Sequence, residues 1–109
     1  MVKVFISQLM RNKTDTEILH ERNILKEYAE RNIEGEIEFI DSFIRDLKIP
    51  ENIKNESVYY LSRSIAYLAE ADVILMGKGT EHGRGTLIEF KIAESYDIPI
   101  MCFPEYDKT

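Results

Sequence analysis

Two short apolar runs, each followed by a polar loop and then by a helical pattern, constrain the fold of this chain more than any other feature. Residues 2–6 are β-branched or aromatic apart from one lysine, and residues 72–76 are apolar after the first position. Runs of this length and composition predict strands that are buried on both faces, as in a parallel sheet. Because parallel strands need crossover connections, the pattern predicts an α/β domain.

A capping box predicts where the first helix begins. Thr14 and Glu17 have the required spacing, so the helix is expected to begin near Asp15 and to run to Arg31. Its expected core stripe, at helical spacing, consists of Ile18, Leu25, Tyr28 and Ala29.

The remaining elements follow from periodicity. Helices are predicted over residues 57–70 and from about 86 to 96, and strands over residues 36–40 and 98–103. Charged and apolar residues alternate over 36–40, as in a half-exposed edge strand. The sequence therefore predicts one domain over residues 1–109, with a four-stranded parallel sheet in the order 2-1-3-4 and right-handed crossovers.

The predicted strand order places a ligand site where the chain direction reverses, between strands 1 and 3. Ligands bind at the carboxyl ends of the strands that flank such a switch point. The loop over residues 77–85 follows strand 3 and contains four of the five glycines, which permit close backbone approach to a ligand. It leads into a helix whose first N–H groups favour anions, although its spacing matches neither a Walker loop nor a dinucleotide fingerprint.

Composition excludes several classes of function. The net charge of −6 argues against nonspecific binding to nucleic acid, and no apolar stretch reaches membrane length. The one cysteine, Cys102, lies in an apolar run and is expected to be an inert core thiol. No Cys/His cluster has the spacing of metal ligands. A cytoplasmic domain with no metal, cofactor or membrane partner is expected.

Glu89 and two arginines are the main candidate site residues. Glu89 follows Thr86 by three positions, so it either completes a capping box or projects a carboxylate over the crevice as nucleophile or base. Arg11 and Arg84 lie in the two loops at the predicted crevice. Each either binds a phosphate in bidentate fashion or is a solvated loop residue.

Several weaker candidates have alternative interpretations. Asp41 and Ser42 follow strand 2 and either contact a ribose hydroxyl or cap a helix. His82 is interpreted as a solvated loop residue in preference to a general acid. Tyrosines 59, 60 and 67 are interpreted as packing residues, although Tyr60 also suits contact with a base.

The strand–loop–helix units around the crevice carry a family resemblance. The first strand and its loop read VFISQLMR from Val4, and the third strand reads DVILM from Asp72. The glycine-rich loop then leads into GTLIE, which ends at Glu89. These residues resemble the nucleoside 2-deoxyribosyltransferase-like superfamily, above all its small phage and bacterial members. The resemblance covers nearly the whole chain and implies a flavodoxin-like or Rossmann-like three-layer fold.

The resemblance also implies an activity. In the superfamily's enzymes the glutamate of the Gly-Thr-x-x-Glu unit attacks the anomeric carbon of a deoxyribonucleoside, so Glu89 would be the nucleophile of an N-glycosidase or deoxyribosyltransferase. In a related branch, the deoxynucleoside 5′-monophosphate N-hydrolases, a comparable loop holds a 5′-phosphate, which favours a phosphorylated ligand. The expected substrate-binding residues are Ser7, Gln8, Met10, Arg11, Gly79, Arg84, Gly85 and Thr86.

One departure from those enzymes leaves an alternative open. The transferases carry aspartates just after the third strand, whereas residues 76–79 hold no carboxylate. The alternative is a non-catalytic protein that senses or sequesters a nucleoside or nucleotide in the same pocket. Because the predicted sheet is short, one face is covered mainly by the first helix, and a homodimer or higher homo-oligomer is expected.

Overall fold

The protein is an α/β domain with one parallel sheet. The structure, a computed structural model, describes residues 1–44 and 47–104. Its elements are β1 (Val2–Ser7), α1 (Asp15–Asn32), β2 (Ile37–Phe39), α2 (Glu56–Leu68), β3 (Val73–Met76), α3 (Arg84–Ser95) and β4 (Ile100–Cys102), with a 3₁₀ turn at Thr80–His82. All strands pair in parallel in the order β2-β1-β3-β4. The predicted α/β fold and strand order are confirmed.

Helix α1 follows its sequence signals closely. The Thr14 hydroxyl accepts a hydrogen bond from the backbone N–H of Glu17, and the Glu17 carboxylate accepts one from the N–H of Thr14. This capping box satisfies N–H groups that a helix start otherwise leaves unpaired. Three members of the predicted stripe are buried, and Tyr28 is half-buried with its ring edge against Phe103.

The two faces of the sheet carry separate apolar clusters. Val4 and Ile6 point to the face covered by α1, whereas Phe5 points to the face covered by α2 and α3, because side chains alternate along a strand. The α1 cluster also contains Leu25, Ala29 and Leu75. The opposite cluster contains Ile40, Leu68, Ile74, Met76 and Ala93. The result is the three-layer arrangement that the family resemblance implies.

The structure corrects two predictions made from local sequence. Cys102 is exposed, because β4 comes last in the strand order of the described residues, next to β3, and its final residue lies outside the core. Asp41 and Ser42 do not cap a helix, because among residues 1–44 and 47–104 the next helix begins only at Glu56. Ser42 is instead buried and Asp41 is exposed.

The sheet brings the carboxyl ends of β1 and β3 side by side. Ser7 is the register partner of Met76, and the N–H of Gly77 donates to the carbonyl of Ser7 at 2.9 Å. The loops that leave these strands therefore begin at one point. In the part of the chain that the structure describes, no helix is both long and apolar enough to cross a membrane.

Candidate functional site

A crevice lies at the carboxyl ends of the strands, on the side of the sheet that α2 and α3 cover. Its volume is about 350 Å³. Three segments contribute most of its walls: residues 8–11 after β1, one side of α2, and the start of α3. The α2 residues are Ser57, Tyr60, Leu61 and Ser64, and the α3 segment supplies Gly83, Arg84, Gly85, Thr86 and Glu89. The site therefore lies where the strand order predicts it.

Glu89 is held in this crevice by two serine hydroxyls. Its side chain is buried, with 6% of the residue exposed. The Ser7 hydroxyl donates to Oε1 at 2.8 Å, and the Ser64 hydroxyl donates to Oε2 at 2.6 Å. Burial raises the pKa of the Glu89 carboxyl, while the two hydroxyl hydrogen bonds favour the charged form and partly offset the rise. Residues from β1, α2 and α3 thus converge on one carboxylate.

The capping-box interpretation of Glu89 is wrong. Helix α3 begins at Arg84 with Gly83 as its N-cap, so Thr86 already lies inside the first turn. The Thr86 hydroxyl donates to the carbonyl of Thr80, which fixes the preceding 3₁₀ turn against the helix. Since the helix begins two residues before the predicted position, Glu89 faces the crevice rather than its own N-terminus.

Close packing requires glycine at the start of α3. A Cβ at Gly83 would meet the Thr86 hydroxyl and lie 2.8 Å from Cδ1 of Leu9. No side chain of the described residues caps this helix, so its first N–H groups suit an anion. Arg84 is exposed beside them, and Arg11 is exposed in the loop after β1. Both arginines line the crevice.

The structure brings together most of the residues predicted to bind substrate. Six of them line the crevice: Gln8, Met10, Arg11, Arg84, Gly85 and Thr86. Ser7 reaches it through its hydrogen bond to Glu89. Gly79 has a φ of +79° and lines a second cavity, of about 510 Å³, on the α1 side of the sheet. Tyr60 lines the crevice, whereas Tyr67 packs on the core.

Two residues near the crevice make buried or partly buried hydrogen bonds that the sequence did not predict. Ser64 lies three residues after Leu61 on the inner face of α2, and this position was the available signal. Arg22 lies four residues after Ile18 and three before Leu25, within the core stripe of α1. A charged residue at such a position indicates a buried polar network.

Arg22 joins three segments beside the crevice. It is 4% exposed, and its guanidinium donates to the Ile40 carbonyl at 3.0 Å, to the Ser42 hydroxyl at 3.2 Å and to Oε1 of Gln8 at 3.4 Å. Burial lowers the pKa of Arg22, and the nearby Asp41 carboxylate opposes that shift. The Gln8 amide also donates to the Ile18 carbonyl at 2.7 Å, so its orientation is fixed from both sides.

Comparisons with known proteins add no relative. No family model, no curated protein and no solved structure matches the chain. Within residues 1–44 and 47–104, no group of three or more His, Cys, Asp or Glu residues is arranged to hold a metal ion. The fold and the crevice define an α/β protein with a buried, serine-bound carboxylate at a switch point.

Proposed function

We propose that this protein cleaves or transfers the N-glycosidic bond of a nucleoside or nucleotide, with Glu89 as the nucleophile. One observation carries the proposal: Glu89 is buried in the switch-point crevice with each carboxylate oxygen bound to a serine hydroxyl. The sequence resemblance to the nucleoside 2-deoxyribosyltransferase-like superfamily supports the same assignment. A cytoplasmic location and independence of any cofactor are part of the proposal.

The contacts of Glu89 suit nucleophilic attack at an anomeric carbon. A carboxylate is a good partner for an oxocarbenium-like centre, as in retaining glycosidases. Ser7 and Ser64 fix the carboxylate and favour its charged form, while burial strips it of water. The base leaves, and water or a second base then attacks the glycosyl-enzyme. Since the attacking form is the carboxylate, activity falls as pH decreases through the raised pKa of Glu89.

A phosphorylated ligand fits the crevice better than a free nucleoside. Arg11 and Arg84 both line it, and so does the start of α3 at Gly83 and Arg84. Guanidinium groups and helix N-termini both bind phosphate oxygens. Gln8, with its amide already oriented, is placed to contact the sugar or the base.

A second candidate function is non-catalytic binding of a nucleotide. The observation that favours it is the lack of a second carboxylate: of the described residues that line the crevice, only Glu89 is acidic. A bound nucleotide would then be sensed or sequestered rather than cleaved. In that case the buried Glu89 carboxylate would bind a hydroxyl group of the sugar and would not attack it.

The release of free base separates the two functions. The protein is incubated with a panel of deoxynucleosides and their 5′-monophosphates, and free base is followed by chromatography. Glu89→Gln should reduce release by roughly six orders of magnitude, the scale seen when a nucleophile is removed. Glu94→Gln is the matched control, because Glu94 lies on the same helix and is exposed. If a nucleotide stabilises both the wild type and Glu89→Gln and neither releases free base, the protein is a binding protein.

Substitution of the arginines tests the phosphate site. Arg11→Gln and Arg84→Gln should each raise KM for a 5′-monophosphate about 10- to 100-fold, since a charge-assisted hydrogen bond contributes about 1.5–3 kcal/mol. The KM for the matching nucleoside should change little. Equal effects on both substrates would contradict a phosphate contact.

A further inference from the structure

We propose that His82, oriented by Glu81, is the general acid that protonates the leaving base. This inference rests on the proposed function, because it assigns the proton that cleavage by Glu89 requires. The juxtaposition that carries it is an exposed imidazole on the wall of the Glu89 crevice, paired with a largely buried carboxylate that still lacks a hydrogen-bond partner at one oxygen.

His82 projects from a turn that is fixed at both ends. The turn lies between β3 and α3, and its first residue, Thr80, is fully buried. The Thr80 hydroxyl donates to the Gly77 carbonyl at 2.8 Å, and the N–H of His82 donates to the Gly79 carbonyl at 3.0 Å. The imidazole is 67% exposed and lines the same crevice as Glu89. The turn therefore holds the His82 imidazole at the wall of the crevice, where a ligand would bind.

Glu81 gives the His82 ring a defined partner. Oε1 of Glu81 lies 3.4 Å from Nε2 of His82, and the Glu81 side chain is only 20% exposed. Its Oε2 is buried and has no hydrogen-bond partner among residues 1–44 and 47–104. In the imidazolium form the Nε2–H of His82 faces this carboxylate, and the Nδ1 proton is the one left to give to a ligand. Glu81 is thus a positioning residue for His82.

The proposed step balances its bonds and protons. The bond between C1′ and the base nitrogen breaks and its electron pair goes to the base, which takes the Nδ1 proton of His82. An oxygen of Glu89 forms the new bond to C1′. In the second half, neutral His82 takes a proton from the water that attacks C1′, and Glu89 leaves as a carboxylate.

The chemistry of the crevice leaves few other sources for this proton. A purine or pyrimidine anion is a poor leaving group, and Glu89 acts as the nucleophile. The other polar side chains that line the crevice are arginines, serines, Tyr60, Thr86 and Gln8. None of these side-chain types exchanges a proton near neutral pH as readily as the imidazole group does. His82 is therefore the side chain of this crevice that is best suited to give a proton to the leaving base.

Leaving groups of different acidity test the assignment. Each deoxynucleoside monophosphate that the protein cleaves is compared with an analogue whose base is a better leaving group. For a purine this is the N7-methylpurine, whose base departs neutral without a proton, and for a pyrimidine it is the 5-fluoro compound, whose base departs more readily as an anion. His82→Gln should lower kcat/KM on the ordinary substrate by about 10²- to 10⁴-fold and leave the activated analogue nearly unchanged. Glu81→Gln should shift the same ratio in the same direction, but less. His20→Gln, on the exposed face of α1, is the matched control.

Each outcome decides the inference. An equal loss on both members of a pair would overturn the acid role while leaving Glu89 as the nucleophile. Full activity of His82→Gln on the ordinary substrate would also overturn it. If the wild-type protein releases base from neither member, the proposed function fails and the acid role fails with it.

Discussion

At the scale of single residues, Glu89 shows how burial and hydrogen bonding act on a carboxyl in opposite directions. Loss of water raises its pKa, whereas the hydroxyls of Ser7 and Ser64 favour the charged form. The net rise means that the folded protein holds the Glu89 proton more tightly than the unfolded chain does. The site therefore lowers the stability of the protein at neutral pH, as binding sites often do.

The raised pKa of Glu89 predicts that the effect of Glu89→Gln on the free energy of unfolding depends on pH. An unfolded glutamate titrates near pH 4.3, and the folded pKa of Glu89 lies above that. As pH rises from about 4.3 through the folded pKa, the wild type should lose stability relative to Glu89→Gln. The slope for one proton is at most about 1.4 kcal/mol per pH unit. Urea unfolding of both proteins across pH 4 to 8 measures it, with Glu94→Gln as the control. A constant difference across that range would contradict the raised pKa.

At the scale of elements, the start of α3 decides which way the site residues face. The sequence indicates a helix beginning near Thr86, but the structure begins it at Arg84 because Gly83 packs against Leu9 and the Thr86 hydroxyl. Leu9 belongs to the loop after β1, so this boundary depends on a contact between distant parts of the chain. The same contact joins the two loops that flank the crevice.

Two glycines of this loop should respond in opposite ways to alanine. Gly83→Ala places a methyl group against Leu9 and Thr86 and should destabilise the protein by about 1–3 kcal/mol. Gly85 lies inside the helix, and its added Cβ would meet only Cδ1 of Leu61 at 3.6 Å, an ordinary contact. Gly85→Ala should therefore be neutral or stabilise by up to about 1 kcal/mol. Urea unfolding of the two variants side by side tests the pair, and equal effects would contradict the packing argument.

At the scale of the whole molecule, the two faces of the sheet are covered unequally. Helices α2 and α3 pack on one face, while α1 covers the other. Beside α1 lies the cavity of about 510 Å³, whose lining includes Leu25, Ile24 and Phe103. Ile24 is 42% exposed, and Leu19 on the same helix is also exposed. Exposed apolar side chains on one helix, beside a cavity with a partly apolar lining, are typical of an interface.

We therefore expect the protein to form a dimer through the α1 face. Light scattering at micromolar concentration should give twice the mass of one chain. Ile24→Glu should shift the protein towards the monomer, because it places a charge in an apolar contact. Val58→Glu is the matched control, since Val58 is an exposed apolar residue on α2, which covers the other face. A wild-type protein of monomeric mass would contradict the prediction.

The sequence by itself determined the α/β fold, the strand order and the position of the crevice, because hydrophobic periodicity and capping are local properties. It also identified the arginines that line the crevice and both possible roles of Glu89. Only the tertiary structure excluded the capping role, since the start of α3 at Arg84 depends on the packing of Gly83 against Leu9, a residue far away along the chain. Burial of Arg22 and exposure of Cys102 were decided in the same way, by neighbours that local sequence does not specify.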